Sequence, residues 1–88
     1  MHFRWNDWNL EHIARHGVTQ DEVEMAVSQA KAPYPTARED NKFLVHGRGR
    51  GGRFLQIIFV YDEDRTVYVI HARPMTESEK RRFRRRIR

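Results

Sequence analysis

Arg53-Phe54-Leu55-Gln56-Ile57-Ile58-Phe59-Val60-Tyr61 is the strongest strand signal in the chain, and its reading decides the fold. The run is rich in β-branched and aromatic residues and is apolar at successive positions, so both of its faces need cover and it belongs in the middle of a sheet. Asp62–Arg65 reads as a four-residue hairpin loop, Thr66–Arg73 as the returning strand, and Pro74 as its end. With that loop length Tyr61 faces Thr66, Gln56 faces His71 and Phe54 faces Arg73. Side chains alternate along a strand, so Ile58, Val60, Val67 and Val69 are expected on one face near the loop. Gln56, His71 and Arg73 are expected at the far end of that same face, an arrangement that a one-residue slip would break.

Working outward, Lys42–His46 reads as a neighbouring strand, joined to the first by the glycine-rich loop Gly47–Gly52. Residues 2–5 form a short first strand. A helix starts at Asn6 or Asp7, both good caps, and ends at His16, with Gly17 as the left-handed residue beyond it. Leu10, Ile13 and Ala14 give it a narrow apolar stripe, while Trp8, His12 and His16 lie four apart on another face. A second helix opens on the capping box Thr19/Glu22 and the apolar staple Val18/Val23. It buries Val23, Ala26, Val27 and Ala30 and stops before Pro33 and Pro35. Thr76 and Glu79 make another capping box, which opens a final helix to about Arg88. Phe83 and Ile87 fix its buried edge, and basic residues cover the rest. The order β-α-α-β-β-β-α describes one α+β domain over residues 1–88, with an antiparallel sheet.

Composition narrows the function. The 88 residues include no cysteine, which rules out disulfide bracing and a Cys-based zinc site. No apolar run approaches the roughly 18 residues of a membrane span. Met1–Trp5 lacks the basic and apolar regions of a signal peptide, so a cytoplasmic protein without membrane association is expected. Residues 1–45 carry 5 basic and 7 acidic side chains, and residues 46–88 carry 12 and 5. Arginine outnumbers lysine 14 to 3, and its planar fork suits phosphate. An Arg-rich half on a dipolar chain points to nucleic acid, with an acidic protein partner as the other reading.

The candidate chemistry sits at the ends of the two long strands, where Arg53, His71 and Arg73 are expected to converge on one sheet face. Arg53 and Arg73 are candidates for stabilising charge on a phosphorane, the largest contribution in many such reactions. His71 is the first candidate for moving a proton, with His16 and His46 as alternatives. Glu79 either closes its capping box, orients Arg73 or accepts a proton. Arg48 and Arg50 on the glycine loop, together with Lys80 and Arg81 on the last helix, suit phosphodiester contacts. Trp8 either packs in the core or stacks on an unpaired base. The glycine loop lacks the Lys-Ser/Thr and the following helix of a nucleotide-binding P-loop. His12 and His16 have the spacing of a helical metal pair but no catalytic Glu between them, so neither a metal nor another cofactor is expected.

Trp5-Asn6-Asp7-Trp8-Asn9 through His12-Ile13-Ala14-Arg15-His16-Gly17-Val18 resembles the opening of BrnT-type toxins. Gly52-Arg53-Phe54-Leu55 is similar to that family's strand entry, and Ile70-His71-Ala72-Arg73 with Thr76, Glu79, Lys80 and Phe83 is similar to its ending. The resemblance implies a RelE-like fold and a metal-independent ribonuclease toxin of a bacterial type II toxin–antitoxin pair. The partners it implies are RNA and a BrnA-like DNA-binding antitoxin, with operator DNA engaged only through the antitoxin. It carries functional roles onto Arg53, Arg73, Glu79 and His16. The competing expectation, from charge alone, is a non-catalytic module that binds RNA or DNA through its basic C-terminal helix.

Overall fold

The computed structural model describes residues 1–86. Its elements are β1 (Phe3–Arg4), α1 (Asp7–Ala14), α2 (Gln20–Ser28), β2 (Thr36–Ala37), a 3₁₀ turn (Glu39–Asn41), β3 (Lys42–Arg48), β4 (Phe54–Tyr61), β5 (Val67–Pro74) and α3 (Glu77–Arg86). Five strands form one sheet in the order β1-β5-β4-β3-β2. The α+β class and the central place of β4 agree with the sequence. Two features differ. The sheet is mixed rather than antiparallel, because β1 runs parallel to β5. An extra two-residue strand, β2, pairs with β3; a strand that short leaves no periodicity in the sequence.

Local signals set the helices. Asn6 caps α1 through a reciprocal pair with Asn9. Gly17 adopts φ 70°, and the amides of Gly17 and Val18 bond back to the carbonyls of Ala14 and Ile13, a Schellman ending. Thr19 and Glu22 cap α2 as read, with Val18 and Val23 buried beside them. The stripe expected on α1 is corrected: Asn9 and Ile13 are its buried residues, whereas Ala14 is exposed. Asn9 tolerates full burial because its amide nitrogen donates to the Arg4 carbonyl while its oxygen serves the cap. Among the described residues no helix is long and apolar enough to cross a membrane. The expected apolar contact of Ile87 and the helix end at Arg88 lie outside the described residues.

One sheet face carries the core. Val45, Leu55, Ile57, Phe59, Val67, Val69 and Ala72 are buried together with Ile13, Val18, Val23, Ala26 and Val27. On this side α2 packs over β3 and β4, and α1 lies along β5. At roughly 1.5–3 kcal/mol for each fully buried large apolar side chain, this layer is the main source of stability. The glycine loop serves the same packing. A Cβ on Gly49 would stand 2.7 Å from the Glu22 carbonyl oxygen, so α2 rests directly on the backbone just past β3. Strand β3 runs on to Arg48, past the expected end at His46, because Gly47 and Arg48 pair with Leu55 and Phe54 of β4.

The opposite face carries Phe54, Gln56, Ile58 and Val60, alternating with the buried set and half-covered. At one end α3 meets it, where Phe83 lies against Phe54 and Tyr34 with ring centroids 5.9 and 6.2 Å apart. The hairpin register also needs correction. Tyr61 pairs with Val67, so the loop is Asp62–Thr66, one residue longer than read. A bulge then leaves Ile70 unpaired, and beyond it Ile58 pairs with His71 and Gln56 with Arg73. The extra residue reverses the strand's alternation. Val67 and Val69 consequently face the core, and the open face instead collects Tyr68, His71 and Arg73.

Candidate nucleic-acid interface on the open sheet face

His46, Gln56 and Arg73 form one row across β3, β4 and β5 on the open face. His46 is almost fully buried. Its Nε2 lies 3.1 Å from Gln56 Oε1, and its Nδ1 lies 3.4 Å from the Tyr34 hydroxyl. With both ring nitrogens engaged, His46 forms part of the floor rather than a mobile proton carrier.

Arg73 reaches from the end of β5 to the start of α3. Its Nη1 and Nη2 donate to the two Glu79 carboxylate oxygens at 2.8 Å each, and Nη1 also donates to the Pro74 carbonyl. Glu79 simultaneously accepts the Thr76 amide, while the Thr76 hydroxyl accepts the Glu79 amide. The acid thus closes the capping box and orients Arg73 at once. The Arg73 hydrogen bonds, against the effect of burial and with help from the Thr76 amide, hold the Glu79 carboxyl down at about 2. Ionised and fully engaged, Glu79 is a poor proton acceptor at neutral pH.

His71 stands two residues before Arg73 on the same face. Its ring lies edge-on to His16, with centroids 5.8 Å apart. Burial, followed by the charges of Arg73 and His16, pushes the His71 pKa below its ordinary value, so the ring is neutral at pH 7. His16 reaches this position because the Schellman turn ends α1 beside β5. Both histidines were individually legible as candidates, but their meeting was not, since it depends on α1 lying along the edge of β5.

Arg53 does not join this group. It precedes β4 with the parity of the core-facing residues, and its Nε and Nη2 donate to Glu22 at 2.8 Å each while Nη2 also donates to the Gly17 carbonyl. The expected convergence of Arg53 with His71 and Arg73 is therefore corrected: Arg53 fastens the α1–α2 turn to the sheet on the covered side.

Trp8 is 48% exposed, which excludes the core-packing alternative. It stacks on His12 at 3.7 Å and lies nearly parallel to Tyr68 at 6.3 Å, with Arg4 over the Tyr68 ring at 4.0 Å. The His12 Nδ1 bonds the Trp8 carbonyl oxygen at 2.8 Å. Among the described residues no three His, Asp or Glu side chains are grouped to hold a metal ion.

The four basic residues read as phosphate contacts disperse. Arg48 lies over Phe54 at 5.0 Å, with Arg84 over the same ring. Arg50 lies beside Asp21 and Glu24 on the outer side of α2. Lys80 pairs with Glu77 at 3.2 Å, and Arg81 is exposed. A cleft of about 360 Å³ between the open face and α3 is lined instead by Arg38, Arg82 and Arg86, with His46, Gln56 and Glu79 among its other walls. The sequence did carry a signal for the two helical arginines: Glu79, Arg82 and Arg86 follow i, i+3, i+7 on one face. No local signal marks Arg38 or Tyr34, which reach the cleft through the chain's path after α2.

No curated protein and no solved structure matches the chain. One family model does, over residues 10–73, from within α1 to the arginine of the open-face row. By that match the chain belongs to the family described as "Domain of unknown function (DUF4258)".

Proposed function

We propose that the open sheet face cleaves single-stranded RNA without a metal ion. The observation that carries this reading is the neutral, half-buried His71 set 5.8 Å from His16 and next to Arg73. In the reaction His71 accepts the proton of a ribose 2′-hydroxyl, and the freed oxygen attacks the adjacent phosphorus. The bond to the 5′-oxygen breaks, and His16 supplies the proton that this leaving oxygen takes up. The products are a 2′,3′-cyclic phosphate and a 5′-hydroxyl. Arg73 retains two N–H groups beyond those spent on Glu79 and Pro74, and they stabilise the charge that builds on the phosphorane. Trp8 offers an exposed aromatic surface for an unpaired base.

The BrnT resemblance extends this to a RelE-like ribonuclease toxin, acting in the cytoplasm and neutralised by a BrnA-like antitoxin that covers the same face. The test uses purified protein and an unstructured RNA in the presence of EDTA. The wild type is expected to give cyclic-phosphate ends, and His71→Ala to cleave about 10²–10⁴-fold more slowly. Intact RNA with the wild type, or an undiminished His71→Ala variant, overturns the assignment. Growth arrest on expression, relieved by a neighbouring reading frame, tests the toxin role separately.

The engagement of Arg73 by Glu79 favours a second reading, a non-catalytic RNA-binding module. It is distinguished by steeply salt-dependent binding that leaves the RNA intact.

A further inference from the structure

The cleft between α3 and the open face is built from distant parts of the chain. Arg38 comes from the segment after β2, and Arg82 and Arg86 come from α3. Among the described residues none of the three forms an ion pair or a side-chain hydrogen bond, whereas Arg4, Arg53, Arg73 and Lys80 are all paired. Among the described residues the one carboxylate on the cleft wall, Glu79, is already met by Arg73. Three cations thus line one cavity without an ion pair of their own among the described residues. At about 360 Å³ the cavity falls in the range of small-ligand sites, roughly 300–1,000 Å³. Its floor residue Gln56 pairs with Arg73, and His71 lies two residues farther along β5, about 6.6 Å of strand.

We infer that this cleft binds one nucleotide unit of a single-stranded RNA, with Arg38 and Arg82 on its backbone phosphate, adjacent to the unit held at His71. The inference deepens the RNA-cleavage reading and rests on RNA as the ligand, but it does not require cleavage. It gives the site a direction along β5, from the Trp8 platform through His71 and Arg73 to the α3 cleft. It also divides the basic residues of α3 into Arg82 and Arg86, which contact the strand, and Arg81 and Arg85, which do not line the cleft.

The experiment uses a 2′-O-methyl RNA octamer, which lacks the attacking hydroxyl and cannot be cleaved. Its affinity is measured by fluorescence anisotropy as a function of salt for three proteins: the wild type, Arg38→Gln/Arg82→Gln and Arg81→Gln/Arg85→Gln. The two double variants remove equal charge. Loss of that phosphate contact lowers the slope of log K against log salt by about 0.7 for the cleft variant, and the control variant is expected to keep nearly the full slope. Equal losses in both variants mean diffuse attraction and overturn the inference, as does failure of the wild type to bind the octamer. His71→Ala is measured alongside. If it binds normally and the cleft contrast holds while the wild type leaves ordinary RNA intact, the cleft stands and the cleavage reading falls.

Discussion

The two faces of the sheet carry the same device turned to different ends. On the covered side Arg53 grips Glu22, and on the open side Arg73 grips Glu79. Each acid is the fourth residue of a threonine capping box, each arginine stands at the end of a long strand, and each pair brings two nitrogens onto one carboxylate. What differs is the neighbourhood. Arg53 adds a bond to the Gly17 carbonyl and holds a helical turn against the core layer. Arg73 sits between the His71 imidazole and a cleft whose three arginines form no ion pair among the described residues. Residue type alone does not set the surroundings of a basic side chain; the face on which alternation places it does.

The largest expected effect separates the faces by chemistry. His71→Ala should slow RNA cleavage by about 10²–10⁴-fold while circular dichroism shows the fold retained. Because the His71 pKa is lowered, protonation of this base should begin to cut activity only as pH falls below the ordinary histidine range near 6.5. An acidic limb that already begins above pH 7, with activity falling as pH is lowered through that range, would contradict a neutral His71 as base.

Acid should then distinguish the pairs by stability. Glu79 is lowered from 4.5 to about 2, so its contribution is fully present above 4.5 and is lost as pH falls from 4.5 toward 2. This is on the order of 3 kcal/mol at most, and partial exposure of Arg73 reduces it. Glu79→Gln should flatten the pH dependence of urea unfolding in that window, and an unchanged slope would break the claim.

Two smaller effects probe the covered side. Gly49→Ala forces a Cβ against the α2 backbone and should cost about 1–3 kcal/mol in urea unfolding. Arg53→Ala should cost about 1–2 kcal/mol, since its side chain is 43% exposed and water screens the pair. Neutral stability in either variant would mean that α2 is held by apolar burial alone.

Much of this was legible because it is local. Thr19/Glu22 and Thr76/Glu79 announce their helices within four residues, Gly17 marks the end of α1, and the apolar run of β4 places it centrally. The features that escaped depend on contacts far along the chain or on counting. β1 pairs with residues more than sixty positions away. Asn9 reads as polar surface, yet its burial is made tolerable by the Arg4 carbonyl and the Asn6 cap. The five-residue loop and the bulge at Ile70 each add a residue that no propensity marks, and together they move Val67 and Val69 to the core while keeping Gln56, His71 and Arg73 on one surface. Arg53 was assigned to that surface by its place at a strand end, although its parity with Leu55 and Ile57 puts it on the other.

The most direct test compares Arg53→Ala with Arg73→Ala in RNA cleavage, with each rate normalised to the folded fraction. Arg53→Ala is expected to cleave at the wild-type rate and Arg73→Ala about 10²-fold more slowly or worse. Equal losses in the two variants, or no cleavage by the wild type, would contradict the division of the two faces into scaffold and site.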